Sequence, residues 1–317
     1  MLNDELNKIY RFNFGLLLFV NKIRSKVGIL QMNSYDNIMK KLMLFANKSP
    51  LIQAMILFGS RVRDKNVADK YSDYDIIFLV NDVDYFLNTD YWLNHIDKFY
   101  ISFQEPTAAC GQERRVLFGD SMDMDFLFYD VKKSEQLAAD STIQAFFSRG
   151  YKILIDKIGF ERVIERNKPF EELKTILSEK EFTNLSNAFW FHTIWSVKKI
   201  LRGETWSAKS CVDGYMKNLL RQMIECYSKA VYSENFDVWH DGRFFDNWVD
   251  ENIKKQLKTA YGTYDAADIL RAMTNTMSIF SEVSRKTAVM LGYTYQEEAE
   301  LYAVEQTEKL TSQYFTI

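Results

Sequence analysis

Three prolines, three cysteines and three histidines are all that this 317-residue chain holds, and each scarcity removes a class of protein. Cys110, Cys211 and Cys226 form neither a C-x-x-C pair nor an even disulfide framework, so a reducing cytoplasm is the expected home. His95, His192 and His240 are equally dispersed, which argues against zinc and leaves hard carboxylate oxygens, the ligands that magnesium prefers. Twelve glycines include no G-x-x-x-x-G-K and no G-x-G-x-x-G, so P-loop and dinucleotide-fold readings lose their support. Long apolar runs are missing too. Phe12 to Val20 is about half the length that spans a bilayer and has no small-residue cleavage site after it, so no membrane partner is expected. A basic excess is absent as well. The formal charge of −3 argues against a nucleic-acid partner held by phosphate contacts and suits a cationic one.

What the chain does have is an apolar run into Gly-Ser, Ile56-Leu57-Phe58-Gly59-Ser60-Arg61, and an Asp-x-Asp opening a second run, Ser72-Asp73-Tyr74-Asp75-Ile76-Ile77-Phe78-Leu79. Two carboxylates that enter a buried strand at a spacing of two point to the same face. Burying such a pair is costly unless a cation sits between them, and a divalent metal carrying a phosphate chain is the usual compensation. Gly59 lets backbone N–H groups approach phosphate oxygens, and Ser60 adds an uncharged donor. Alone, an Asp-x-Asp is more often a polar turn before a strand. Its place after strand-Gly-Ser and before strand-Asp is what makes it specific.

Ser34 is the expected N-cap of a helix with apolar positions Ile38, Met39, Leu42, Met43 and Ala46, ending near Ser49-Pro50. Strands are predicted over 51–58, 75–80, 100–103, 115–118 and 124–128, with helices over 91–96 and 132–139. That order gives a small mixed sheet backed by helices. Asp156 to Lys168 is charged and reads as a linker. From Pro169, the last proline, the pattern is helical throughout. The stripe Ile269, Met273, Met277, Phe280 and Val283, with similar stripes in 181–201 and 212–231, reads as the core of a helical bundle that needs no cofactor.

Gly-Ser, a short arm, Asp-x-Asp on a strand and a third acid on a later strand resemble the signature of the polymerase-beta-like nucleotidyltransferase superfamily. Asp125, in Met122-Asp123-Met124-Asp125-Phe126, fits the third position, with Asp123 on the same strand face as its competitor. Tyr91-Trp92-Leu93-Asn94, Asn187-Ala188-Phe189-Trp190 and Phe280-Ser281-Glu282-Val283-Ser284 extend the similarity to the aminoglycoside 6-adenylyltransferases, from about Asn33 to the end. Gly214-Tyr215-Met216 departs from the more polar stretch expected after Asp213. The resemblance implies an α+β protein: residues 1–32 an N-terminal extension, 33–160 the nucleotidyltransferase domain, and 161–317 an all-α bundle that binds the acceptor.

It also implies Mg2+-dependent transfer of AMP from ATP to a hydroxyl of an aminoglycoside, the 6-hydroxyl of streptomycin. Asp73, Asp75 and Asp125 would bind the metals, and Asp125 would also take the acceptor's proton. Gly59, Ser60 and Arg61 would meet the nucleotide, with Arg63 and Lys65 as substitutes for Arg61. Lys198, Lys199 and Arg202 share a helix face and would touch phosphates, although such a run is more often a solvated face. Trp190, Trp195, Glu204 and Asp213 are the candidates for a cationic acceptor, which carboxylates and aromatic faces would hold in a cleft between the domains. Two other readings stay open. One keeps the chemistry but moves it to a lincosamide, another small hydroxyl compound, a protein or tRNA; the other is an inactive ligand-binding module.

Overall fold

The computed structural model describes residues 37–63, 68–168, 176–238 and 241–312. The readings placed on residues 1–32, Ser34, Lys65, Pro169 and His240 lie outside the described residues. The chain divides into two compact units, Met1–Leu173 and Lys174–Ile317.

In the first unit six strands, β1 (Ile52–Phe58), β2 (Tyr74–Val80), β3 (Phe99–Pro106), β4 (Gln112–Phe118), β5 (Met122–Asp130) and β6 (Tyr151–Asp156), form one sheet. Their order is β3-β4-β5-β2-β1-β6. Only β2 and β5 run parallel; the other neighbours are antiparallel, so the sheet is mixed as the pattern implied. The sequences IQAMILF and YDIIFLV are almost continuously apolar because both faces of β1 and β2 are covered. On one face Ile76, Phe78, Phe126 and Phe128 pack against Ile38 and Leu42 of helix α1 (37–48), Phe86 of α2 (Val83–Asn88) and Trp92. On the other, Ile56, Ile77 and Leu127 pack against α3 (Ser134–Ala139), α4 (Ser141–Ser148) and α5 (Phe160–Arg166). With both faces closed, the polar side chains of β1 and β2, Gln53 and Asp75, lie near the strand ends.

Two expectations for this unit need correction. The charged stretch from Asp156 is no linker: it ends β6, a strand the reading omitted, and then forms α5, whose Phe160 and Ile164 are buried against the sheet. Glu161, Arg162, Glu165 and Arg166 are the exposed side of that short helix, and their density mimics linker composition. Within 91–96 the regular element is a single 3-10 turn, Leu93–His95, followed by Ile96 and preceded by Trp92, whose indole N–H donates to the Phe86 carbonyl at 2.9 Å.

The second unit is helical: α6 (Glu179–Leu201), α7 (Thr205–Ser210), α8 (Met216–Tyr232), α9 (Phe245–Trp248), α10 (Glu251–Leu257), α11 (Ala266–Leu291) and α12 (Glu297–Ser312). Ser178 and Glu181 close a capping box at the start of α6. The α11 stripe from Ile269 to Val283 is buried as expected, with Phe280 stacked on Phe189 of α6 at 3.7 Å between ring centroids. A π-helical turn, Cys211–Tyr215, joins α7 to α8. A mixed sheet followed by an all-helical unit is an α+β architecture. Among the described residues no helix is long and apolar enough to cross a membrane.

Candidate active site

At the end of β1 the chain turns sharply through Gly59, which has φ +79° and opens a 3-10 turn, Gly59–Val62. A methyl group at this position would overlap the Asp75 carboxylate, so both the backbone angle and the close approach require glycine. The Ser60 hydroxyl that follows is buried and makes no hydrogen bond. A buried donor without a partner is costly, and its position marks where a ligand oxygen would satisfy it.

Arg61 faces the chain rather than open space. Its Nε donates to the Asp73 carbonyl at 2.9 Å, its Nη2 to the Ser72 carbonyl, and its guanidinium lies 4.0 Å over the Tyr74 ring. Ser72 is tied in turn to Asp69, whose N–H donates to Ser72 Oγ at 2.9 Å. The arm between β1 and β2 is thereby clamped so that Asp73 is presented beside the start of β2.

Asp75 is the second residue of β2, and its register partner on the parallel strand β5 is Asp125. Partners on adjacent strands share a face at about 5 Å. Asp73 joins them from the clamped arm, and oxygens of Asp73, Asp75 and Asp125 lie within 4.8 Å of one another. Asp125 is buried, and its proton affinity is pushed up to about 8. Burial is the largest cause, followed by the negative charge of Glu113 and, more weakly, of Asp75 and Asp73; Arg115 opposes them. Asp123, the competitor for its role, is exposed and outside the group of three.

Glu113 and Arg115 escaped the sequence reading. Arg115 on β4 is the antiparallel partner of Asp125, and its Nη2 stands 3.6 Å from Asp125 Oδ2. Its Nε lies 2.6 Å from Glu113 Oε1 and 2.8 Å from Glu105 Oε1. Starting β4 at Arg115 left Glu113 outside the strand; the spacing Glu113-x-Arg115, which puts both on one strand face, was the available signal.

The candidates in the second unit are mostly engaged already. Lys199 Nζ is 2.5 Å from Glu204 and 5.0 Å over the Trp195 ring, and Arg202 Nε is 2.6 Å from the same glutamate. Lys198 is exposed. Asp213 pairs with Lys209 and lies 3.6 Å from Lys217 Nζ. Trp190 is buried, at 2 % exposure, with its ring edge-on to Phe189 and Phe280 and its indole N–H without a hydrogen bond. A cavity of about 610 Å³ gathers Lys217, Arg221, Lys254 and Lys258 against one acid, Asp246, a clustering that helical spacing did not disclose.

Three hard carboxylates, an unsatisfied hydroxyl and a turn closed to any side chain fit a divalent cation carrying phosphate oxygens. Comparison with known proteins supplies the family. A family profile described as streptomycin adenylyltransferase matches residues 32–309. The aminoglycoside 6-adenylyltransferase of Campylobacter jejuni is 23% identical over 275 residues, 84% of this chain and 93% of its own. That of Bacillus subtilis (strain 168) is 22% identical over 276 residues, 84% and 94% of the two chains. A crystal structure of an aminoglycoside 6-adenyltransferase from Bacillus subtilis aligns with 87% of this chain and 96% of its own, at 18% identity and a TM-score of 0.43, too loose a fit to bear on the assignment. The profile spans every candidate residue named above, from Gly59 to Asp213. The chain belongs to the streptomycin adenylyltransferase family, and with it to the nucleotidyltransferases.

Proposed function

We propose that this protein transfers AMP from ATP to a hydroxyl of an aminoglycoside, the 6-hydroxyl of streptomycin, in a magnesium-dependent reaction. The observation that carries the reading is the meeting of Asp73, Asp75 and Asp125 beside Gly59 and the unsatisfied Ser60 hydroxyl. These three aspartates would hold Mg2+, which when bound neutralises charge at the α-phosphate and on the departing pyrophosphate.

The chain's own groups account for the rest. The turn at Gly59 brings backbone N–H groups and Ser60 Oγ to the phosphate oxygens. Arg61, occupied by the carbonyls of Ser72 and Asp73, serves the nucleotide indirectly by fixing the arm that bears Asp73. Asp125 accepts the proton of the acceptor hydroxyl, the role open to a carboxylate that lies close to both that hydroxyl and the bound nucleotide. As that O–H bond breaks, the acceptor oxygen bonds to the α-phosphorus, the bridge to the β-phosphate breaks, and pyrophosphate leaves with the bridging oxygen.

Glu204 and Asp213, each paired with lysine, are the groups a guanidinium-bearing acceptor would capture by exchange for those lysines, with the half-buried Trp195 beside Lys199. Three free thiols suit a reducing cytoplasm, where ATP is abundant.

Incubation with radiolabelled ATP, Mg2+ and a panel of antibiotics tests the reading. Label should move to streptomycin and require Mg2+. Label on a lincosamide or on tRNA, or on no acceptor at all, would overturn the assignment.

A further inference from the structure

We propose that Arg115, anchored by Glu113 and Glu105, is the positioning residue that orients the Asp125 carboxylate; the inference rests on the adenylyl-transfer reading of this site. The register of three strands builds the device. Glu105 on β3 faces Glu113 on β4, and Arg115, two residues further along β4, faces Asp125 on β5. An interval of two keeps Glu113 and Arg115 on one face of the strand.

Arg115 Nε donates to Glu113 Oε1 at 2.6 Å, and Glu105 Oε1 lies 2.8 Å from the same nitrogen as an ion-pair partner. A guanidinium is planar, so the directed Nε–H bond to Glu113 sets the direction of Nη2, and Nη2 faces Asp125 Oδ2. At 3.6 Å the two are too far apart for a hydrogen bond. Asp125 is thus steered while its lone pairs stay available for a cation and for the acceptor's proton.

Charge compensation alone does not explain the arrangement. Glu113 is itself buried, 7 % exposed, so the Glu113–Arg115 pair adds no net positive charge to a site that already gathers three aspartates. Arg115 itself is 46 % exposed, so water screens much of its charge, and what the pairing supplies here is direction.

The test uses the full-length protein and two readouts: Mn2+ binding followed by electron paramagnetic resonance, and steady-state AMP transfer. Arg115→Gln should bind Mn2+ at least as tightly as wild type, because a cation has left the site, while kcat falls roughly tenfold or more and KM for ATP moves less than about threefold. Arg115→Lys keeps the charge without the planar fork, so its Mn2+ affinity should match wild type and kcat should recover only in part. Glu113→Gln, nearly isosteric, should also lower kcat and decides the matter if Arg115→Gln does not fold. A kcat within twofold of wild type for Arg115→Gln or Glu113→Gln, or full rescue by lysine, would overturn the positioning role. A wild-type protein that binds no Mn2+ and transfers no AMP would instead overturn the reading of the site on which this role rests.

Discussion

Asp75 and Asp125 are register partners on β2 and β5, the one parallel pair in a mixed sheet, so two acids from separate sequence motifs stand side by side. Neighbouring carboxylates with buried surroundings cannot both ionise cheaply without a cation. In the metal-free protein burial above all, then the negative charge of Glu113 and more weakly of Asp75 and Asp73, pushes the Asp125 carboxyl up to about 8.

A pH dependence follows from that shift. A carboxyl whose folded-state value lies near 8, against an ordinary 3.8, contributes stability that is fully present below pH 4 and is lost as pH rises through 8. Protein stripped of metal should melt progressively lower between pH 5 and 8.5, and Asp125→Asn should flatten that slope. Mg2+ binding should release a proton in the same range. Parallel melting curves for the two proteins would contradict the assigned cause.

Gly59→Ala meets two obstacles, a φ of +79° and overlap with the Asp75 carboxylate. Loss of about 1–2 kcal/mol in urea unfolding is expected from the backbone angle. Transfer should fall by roughly a hundredfold or more, since a displacement of about 1 Å at a site of this kind has such an effect.

Ser60→Ala separates binding from folding. Its hydroxyl makes no bond in the free protein, so stability should stay within about 0.5 kcal/mol of wild type. KM for ATP should rise several-fold, because the bond that is lost exists only with a ligand present. Calorimetric melting and initial-rate kinetics on one preparation check both halves.

Trp190 should behave as core. Trp190→Ala is expected to cost about 3–5 kcal/mol, whereas Trp190→Phe should fold with its KM for the acceptor unchanged. A selective rise in that KM for Trp190→Phe would return the residue to the pocket.

The legible parts of the fold were those with a strong local period. β1, β2 and β5 were visible as apolar runs and α11 as a stripe from Ile269 to Val283, and the order of Gly59, Ser60, Asp73, Asp75 and Asp125 carried the chemistry. β6 was missed because it is a short strand with half-exposed residues, and α5 because its charged side masks buried Phe160 and Ile164. Arg61 reads as a phosphate ligand beside Gly-Ser; that its donors are turned onto the carbonyls of Ser72 and Asp73 depends on how the arm folds back, which no spacing encodes. Glu113 and Arg115 reach Asp125 only through cross-strand register, which is a property of the sheet and not of the segment.

The most direct measurement is an anomalous difference map from crystals soaked with Mn2+ and a nonhydrolysable ATP analogue. The account predicts metal peaks at about 2.1–2.3 Å from carboxylate oxygens of Asp73, Asp75 and Asp125, with a phosphate oxygen at Ser60 Oγ. Peaks elsewhere on the protein, or nucleotide bound with no metal at these aspartates, would contradict it.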